Sequence, residues 1–248
     1  MRLQNKTAIV TGGASGFGAG IAERFVSEGA RVMIADINEA AAREMAAQLG
    51  TAVVAHAVDV ADSAGVKSML DTAIATLGWV DILVNNAGIT HLPQPLEQVE
   101  EAEFDRVFAV NAKSVFLSAK FCVPHMKSRR SGVILNIAST AGLSPRPLLS
   151  WYNSSKGWMI TATKSMAVEL AGEGIRVNAL CPVAGETPLL KSFMGEDTPE
   201  VRAKFLATIP LGRFSTPRDL GAAACFLCSD EASMITGVAF EVDGGRCI

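Results

Sequence analysis

With 248 residues, 49% hydrophobic and 19% charged, the chain has enough apolar material for one large α/β domain spanning residues 1–248. Its 22 Lys and Arg against 25 Asp and Glu leave a net charge of −3, which excludes nucleic acid as a partner, since phosphate binding needs clustered cations. No membrane-length apolar run and no secretory leader pattern occur, and the five cysteines are scattered, so a cytoplasmic protein with no membrane partner and no disulfide framework is expected.

Strand and helix patterns alternate from one end to the other. Thr7–Thr11 is a buried β-branched run, followed by an amphipathic helix, Phe17–Glu28, stopped by Gly29. Arg31–Asp36 reads as the second strand, Glu39–Leu49 as an alanine-rich helix stopped by Gly50, and Ala52–Val58 as the third strand. Asp62 is placed to cap a helix reaching about Leu77. Ile82–Asn85, Val133–Ile137, Arg176–Leu180 and Val238–Val242 continue the strands, with two long helices between them, about Phe104–Arg129 and Trp151–Gly172. A further helical pattern, Leu220–Ser229, holds Cys225 and Cys228, which read as small buried hydrophobes because no second ligand pair lies near. The alternation predicts right-handed β–α–β units in a Rossmann-like doubly wound parallel sheet of seven strands, helices on both faces. The irregular segments 88–100, 140–150 and 182–210 all follow strands, and so should gather at the carboxyl edge of the sheet, where such folds bind ligands.

Directly after the first strand comes Thr11-Gly12-Gly13-Ala14-Ser15-Gly16-Phe17-Gly18, then a helix. Glycines at 12, 16 and 18 permit a tight turn with backbone N–H groups against a pyrophosphate at the helix N-terminus, which makes Gly12, Ser15, Gly16, Phe17 and Gly18 candidate cofactor contacts. Asp36, eighteen positions past Gly18 at the next strand end, has the spacing of a ribose-binding carboxylate, with Ile37 beside it. A carboxylate accepts hydrogen bonds from ribose hydroxyls and repels the extra phosphate of NADP, and no Lys or Arg among residues 12–18 or at 37 offsets it. NAD is therefore the expected cofactor. Asp36 also stands where it would cap the following helix.

Tyr152 is the only tyrosine, and Lys156 lies four residues later in a helical pattern, on the same helix face. An ammonium there would stabilise phenolate and draw the phenol below its ordinary pKa of ~10, making it a proton-transfer group. Ser139, just past the strand Val133–Ile137, offers a hydroxyl to a substrate oxygen. Together with the glycine loop, with Asp59 after the third strand, Asn85-Asn86-Ala87-Gly88 after the fourth and Asn111 in the next helix, this set resembles the short-chain dehydrogenase/reductase family over about residues 3–246. The resemblance implies an oxidoreductase that moves a hydride between NAD and a secondary or benzylic alcohol or carbonyl compound, with no metal. It implies Tyr152 as general acid/base, Lys156 lowering its pKa and holding the nicotinamide ribose, Ser139 positioning the substrate oxygen, and Asn111 keeping a water in a proton relay. Asp36 would meet the adenosine ribose, Asp59 and Val60 the adenine, and Thr187 the carboxamide; Asn86, Ala87, Gly88 and Pro182 complete the cofactor contacts. The family commonly has glycine after the proline that ends its sixth strand. Here Val183 follows Pro182, and since valine resists positive φ the loop is expected to bend at Gly185, which puts the Thr187 contact in question.

Within the family, the stretches Thr11–Gly18, Asn85–His91, Trp151-Tyr152, Gly185–Pro188, Pro210–Phe214 and Asp243–Arg246 resemble bacterial dehydrogenases of aromatic alcohols, the zinc-independent 4-(hydroxymethyl)benzenesulfonate type. Leu143, Leu148, Trp151, Leu189, Leu190, Phe193 and Met194 are candidates for an apolar substrate wall, and His91 for its mouth. Arg146, seven positions past Ser139, either pairs with an anionic substrate group or is a solvated loop arginine between Pro145 and Pro147. Two rival readings are a 3-oxoacyl-[acyl-carrier-protein] reductase and a regulatory protein that binds NAD without turnover. Asp36 and the acidic pI weigh against the first, and the retained Tyr152 and Lys156 against the second. The two long helices carry more apolar surface than one sheet face needs, so a homo-oligomer, a tetramer by the resemblance, is expected.

Overall fold

Strand β1 (Thr7–Thr11) is buried at every position, the pattern of a strand covered on both faces. In the computed structural model, which describes Met1–Ile248, it pairs in parallel with β2 (Arg31–Asp36) on one side and β4 (Ile82–Asn85) on the other. With β3 (Val53–Ala57), β5 (Gly132–Ile137), β6 (Ile175–Pro182) and β7 (Ala239–Val242), the sheet runs β3-β2-β1-β4-β5-β6-β7, all parallel. Strand order reverses direction between β1 and β4, so the loops leaving these two strands diverge and leave a crevice at their carboxyl ends.

Successive residues of a strand face opposite layers, and the core divides accordingly. Val10, Ile34 and Val84 pack with Ile21 and Phe25 of α1 (Gly16–Ser27) and with Leu220 and Leu227 of α9 (Pro217–Cys228); Cys225 and Cys228 sit in the same core as buried thiols. Ile9, Met33 and Leu83 face the other way, against Met69 and Leu70 of α3 (Ser63–Leu77), Leu117 and Met126 of α5 (Ser114–Arg129) and Leu170 of α6 (Ser150–Leu170). Local caps set the ends: Asn38 accepts from the Ala41 amide at the start of α2 (Glu39–Leu49), Asp62 accepts from the Gly65 amide at 2.7 Å, and Thr216 and Asp219 form a reciprocal capping box on α9.

Two expectations need correction. The helix predicted from about Phe104 is α4 (Glu101–Phe108), a π turn at Ala109–Lys113 and then α5, and this continuous run is long and apolar enough to cross a membrane by length and composition, contrary to the reading that no segment reaches that length. Val115, Leu117, Cys122 and Met126 of this run are buried in the cores under the sheet, while Phe116 is exposed. Segment 182–210, read as irregular, contains α7 (Leu190–Met194) and α8 (Pro199–Leu206), the latter started by Thr198, whose hydroxyl accepts from the Val201 amide, and by Pro199 in the first turn. Neither helix contributes a broad apolar stripe to the main core, which is why periodicity alone did not reveal them.

Candidate active site

The carboxyl ends of β1 to β6 open into one cavity of about 460 Å³, lined at one end by Asp36, Ile37, Asp59 and Val60 and at the other by Ser139, Tyr152, Arg146 and Phe193. The glycine loop lies between. Gly12 and Gly16 take left-handed φ of 60° and 53°, and a Cβ on Gly18 would collide with the Gly12 carbonyl oxygen, so the first turn of α1 can be wound this tightly only without side chains. Ser15 caps α1 with no side-chain hydrogen bond to its amides, and no acid occupies the first turn, which leaves the positive end of the helix dipole free for an anion. Asn86 braces the loop from the β4 side: its Nδ2 donates to the Thr11 and Gly12 carbonyls, each at 2.9 Å. At the end of β2, Asp36 accepts from the amides of Ala14 (3.1 Å) and Asn38 (3.0 Å), so it ties the loop to the next helix start while still lining the cavity. A cradle of this shape, with two glycines in left-handed conformation, bare helix amides and a carboxylate at the far strand end, fits a dinucleotide.

At the other end, α6 starts at Ser150 and brings Tyr152 and Lys156 to the cavity wall one turn apart, facing Ser139 after β5. Lys156 is buried and its Nζ donates to the Ile137 carbonyl at 2.8 Å, 6.0 Å from the centre of the Tyr152 ring. The sequence expectation that the lysine draws the phenol down is not met in the cofactor-free protein. Burial pushes Tyr152 up to about 12, and the Ser139 hydroxyl offsets this only in part. Burial likewise pushes Lys156 down to about 8, so it remains largely a cation at neutral pH but loses its proton well before the phenol does. Cys181, at the end of β6, belongs to the same buried cluster and is itself pushed up to about 12 by burial.

Asn111 is fully buried within the π turn, the wider backbone repeat that aims its amide across to the strand-4 loop. Its Oδ1 accepts from the Ile89 amide and its Nδ2 donates to the Ile89 carbonyl and to Ser155 Oγ, all at 2.9 Å. Asn111 therefore forms the wall behind Gly88 rather than the cavity lining. Gly88 separates it from Lys156: a Cβ there would stand 3.3 Å from Lys156 Nζ and 3.4 Å from Asn111 Oδ1.

Of the other residues singled out from sequence, Gly12, Ser15, Gly16, Phe17, Asn86, Ala87, Gly88, Pro182 and Thr187 line the cavity, and Gly18 underlies it. Three substrate candidates do not. His91 is buried beneath its loop, with Nδ1 against the Leu92 carbonyl; Trp151 donates to the Leu96 carbonyl and packs edge-on against Phe104; Leu148, at φ 65°, is exposed. Leu143 is also exposed, and Leu190 packs with Val183, Ile209 and Phe214 in a separate small core that Met194 joins, leaving Leu189 and Phe193 as the apolar wall that was foreseen. Val183 does not take a positive φ, and neither does Gly185. Glycine is needed at 185 for space instead, since a Cβ would strike the Phe17 ring, and Thr187 ends up against Gly16 in the cavity. Leu149 and Phe205 of the lining were missed. Phe205 lies on α8, far along the chain, and no local pattern ties it to Tyr152.

A family model described as enoyl-(acyl carrier protein) reductase matches residues 12–246. The chain is 50% identical to a 4-formylbenzenesulfonate dehydrogenase of Comamonas testosteroni over 100% of both chains, and 39% identical to a 2-(S)-hydroxypropyl-CoM dehydrogenase of Xanthobacter autotrophicus over 98% of this chain and 97% of that one. A crystal structure of a 3-ketoacyl-(acyl-carrier-protein) reductase from Brucella melitensis complexed with NADH superposes with a TM-score of 0.95 at 50% identity, covering 99% of this chain and 100% of the other. The sheet order, the glycine cradle and similarity that runs end to end agree, and the chain belongs to the short-chain dehydrogenase/reductase family of oxidoreductases.

Proposed function

We propose that this chain interconverts an alcohol, secondary or benzylic, and its carbonyl compound with NAD(H), and that Tyr152 moves the proton. The observation that carries this reading is the convergence of Ser139, Tyr152 and Lys156 on one end of a cavity whose other end is built for a dinucleotide. The names of the C. testosteroni and X. autotrophicus relatives, both dehydrogenases, and the NADH held by the B. melitensis structure support it. Bound NAD supplies the hydride acceptor. The chain's own residues orient the substrate oxygen between the Ser139 and Tyr152 hydroxyls, receive its proton on the Tyr152 oxygen, and hold the Lys156 cation close by to stabilise the phenolate. Asp36 favours NAD over NADP because its carboxylate would face the added phosphate. Exposed Phe116 on α5 and Trp158 and Val168 on α6 support a homo-oligomer, a tetramer in this reading, which a single-subunit mass by light scattering would disprove.

Tyr152→Phe tests the proposal. It should lower kcat about 10²–10⁴-fold with NAD and a benzylic or secondary alcohol, while NADH still binds with unchanged fluorescence enhancement. Undiminished turnover would refute the proton-transfer role. The name of the B. melitensis structure favours a second reading, reduction of 3-oxoacyl thioesters. Faster turnover of acetoacetyl thioesters than of any alcohol or aryl carbonyl compound would select it.

A further inference from the structure

Arg146 has no counter-ion. Its guanidinium makes no ion pair with any acid and donates no hydrogen bond, and its Nη2 is sealed from solvent without a partner. A buried guanidinium N–H left unmatched is costly, so such groups in folded proteins are normally satisfied by the chain or by a ligand. The position is nonetheless held firmly. Asn153, the residue after Tyr152 and itself buried, donates through Nδ2 to the Arg146 carbonyl at 2.7 Å. The guanidinium is stacked over the Phe205 ring, 4.1 Å from its centre. Arg246, whose Nη1 lies 3.4 Å from Ser144 Oγ in the same loop, has no acidic partner either, and its Nε is a second buried unmatched donor. Burial, with this neighbouring charge added, pushes Arg146 down to about 10, which leaves it a cation at neutral pH. The acids that line the cavity, Asp36 and Asp59, are at the opposite, dinucleotide end. Toward the Tyr152 end the wall is uncharged apart from Lys156 and Arg146 and includes the apolar Leu149, Leu189, Phe193 and Phe205, with Phe193 edge-on to the Tyr152 ring at 5.0 Å.

We propose that Arg146 is the specificity residue of the site, binding an oxyanion substituent, carboxylate or sulfonate, at the end of an apolar substrate whose alcohol or carbonyl group lies at Tyr152. Arg246 contributes positive potential and holds the loop. This rests on the oxidoreductase reading above. A guanidinium can give a planar oxyanion two parallel hydrogen bonds, which would satisfy the sealed Nη2, while the apolar wall accommodates a ring or chain between the two polar ends. The solvated-arginine reading of the sequence does not fit a side chain held by Asn153 and Phe205 with a desolvated donor.

The test compares 4-(hydroxymethyl)benzoate and 4-(hydroxymethyl)benzenesulfonate with 4-methylbenzyl alcohol, in the wild type, Arg146→Met and Arg146→Lys, at saturating NAD. Methionine keeps an unbranched stem over Phe205 and removes the charge, so kcat/KM for the two anions should fall about 10- to 100-fold while that for the neutral alcohol changes less than about 3-fold. Arg146→Lys, which keeps a cation, should retain a preference for anions that the methionine variant has lost. Calorimetric binding of 4-(hydroxymethyl)benzoate to the NADH-loaded protein, a pairing with no hydride acceptor, gives a second readout independent of turnover, with the same 10- to 100-fold loss expected in the methionine variant. Equal losses for charged and neutral compounds, or unchanged binding of the anion, overturn the Arg146 assignment. Failure of the wild type to oxidise any of the three alcohols would count against the oxidoreductase reading alone, and the binding measurement would still decide the role of Arg146.

Discussion

Tyr152 is the only tyrosine among 248 residues, so the ultraviolet absorbance of tyrosinate reports on the proposed proton-transfer group and nothing else. In the cofactor-free protein, burial raises its pKa from 10.0 to about 12, equivalent to about 3 kcal/mol in favour of the neutral phenol. Lys156 is placed to work against this. A full positive charge 6.0 Å from the ring centre would stabilise phenolate by about 3 kcal/mol at an effective dielectric of ~20, but burial pulls the lysine itself down to about 8. At the alkaline pH where the phenol would ionise, the ammonium has largely lost its proton and its help is gone. Working near neutrality therefore requires about 6 kcal/mol more than the chain's own burial of the phenol allows, and a protonated Lys156 with the positive charge of NAD⁺ beside it would act in that direction. The measurement is a pH-jump titration of tyrosinate absorbance, read before alkaline unfolding and with Tyr152→Phe as the blank. The free protein should show a midpoint well above 10, and the NAD⁺ complex a midpoint at least about 2 pH units lower. A free-protein midpoint at or below 10 would refute the claim that burial dominates this phenol.

Lys156 gives a stability prediction with a definite sign. Its folded pKa of about 8 lies below the ordinary 10.5, so the burial penalty acts in full below about pH 8 and fades as pH rises toward 10.5. Relative to Lys156→Met, the cofactor-free wild type should gain up to about 3 kcal/mol in urea unfolding across that window, and parallel pH profiles for the two proteins would contradict it. Asp36→Ser keeps an acceptor for the Ala14 and Asn38 amides but removes the charge; the ratio of kcat/KM for NADH over NADPH should fall by about tenfold or more, and an unchanged ratio would remove Asp36 from the cofactor argument. Inside the sheet, a buried polar chain runs from Ser118 through Asn85 and Asn136 to Thr163, with contacts of 2.7, 2.8 and 2.8 Å. Asn136→Ala breaks it in the middle and strands the Asn85 amide, so chemical denaturation should show a loss of about 2–4 kcal/mol; a loss under about 0.5 kcal/mol would mean that the chain is not cooperative.

The architecture was legible because its signals are local. β-Branched runs such as Thr7–Thr11, capping residues such as Asp62, and stop glycines such as Gly50 each act within a few positions, and they placed most strands and helices to within a residue or two. The glycine loop, Asp36, and the one-turn spacing of Tyr152 and Lys156 were equally readable, because the chemistry depends on neighbours in the chain. Asn111 was found through the resemblance, but its amide is tied to Ile89 and Ser155, a pairing that only the packing of the π turn against α6 could establish. His91, Leu148 and Trp151 looked like cavity residues from their positions after strands, and whether a loop side chain turns in or out is decided by what packs beneath it. The direction of the Tyr152 shift is the clearest division. Spacing alone brings a lysine to the phenol and suggests a lowered pKa, but desolvation depends on everything the fold stacks around the pair, and in the cofactor-free protein it is the larger effect. The same holds for Arg146: its sequence neighbours are two prolines, and only the folded chain brings Asn153, Phe205 and Arg246 to it while bringing no acid.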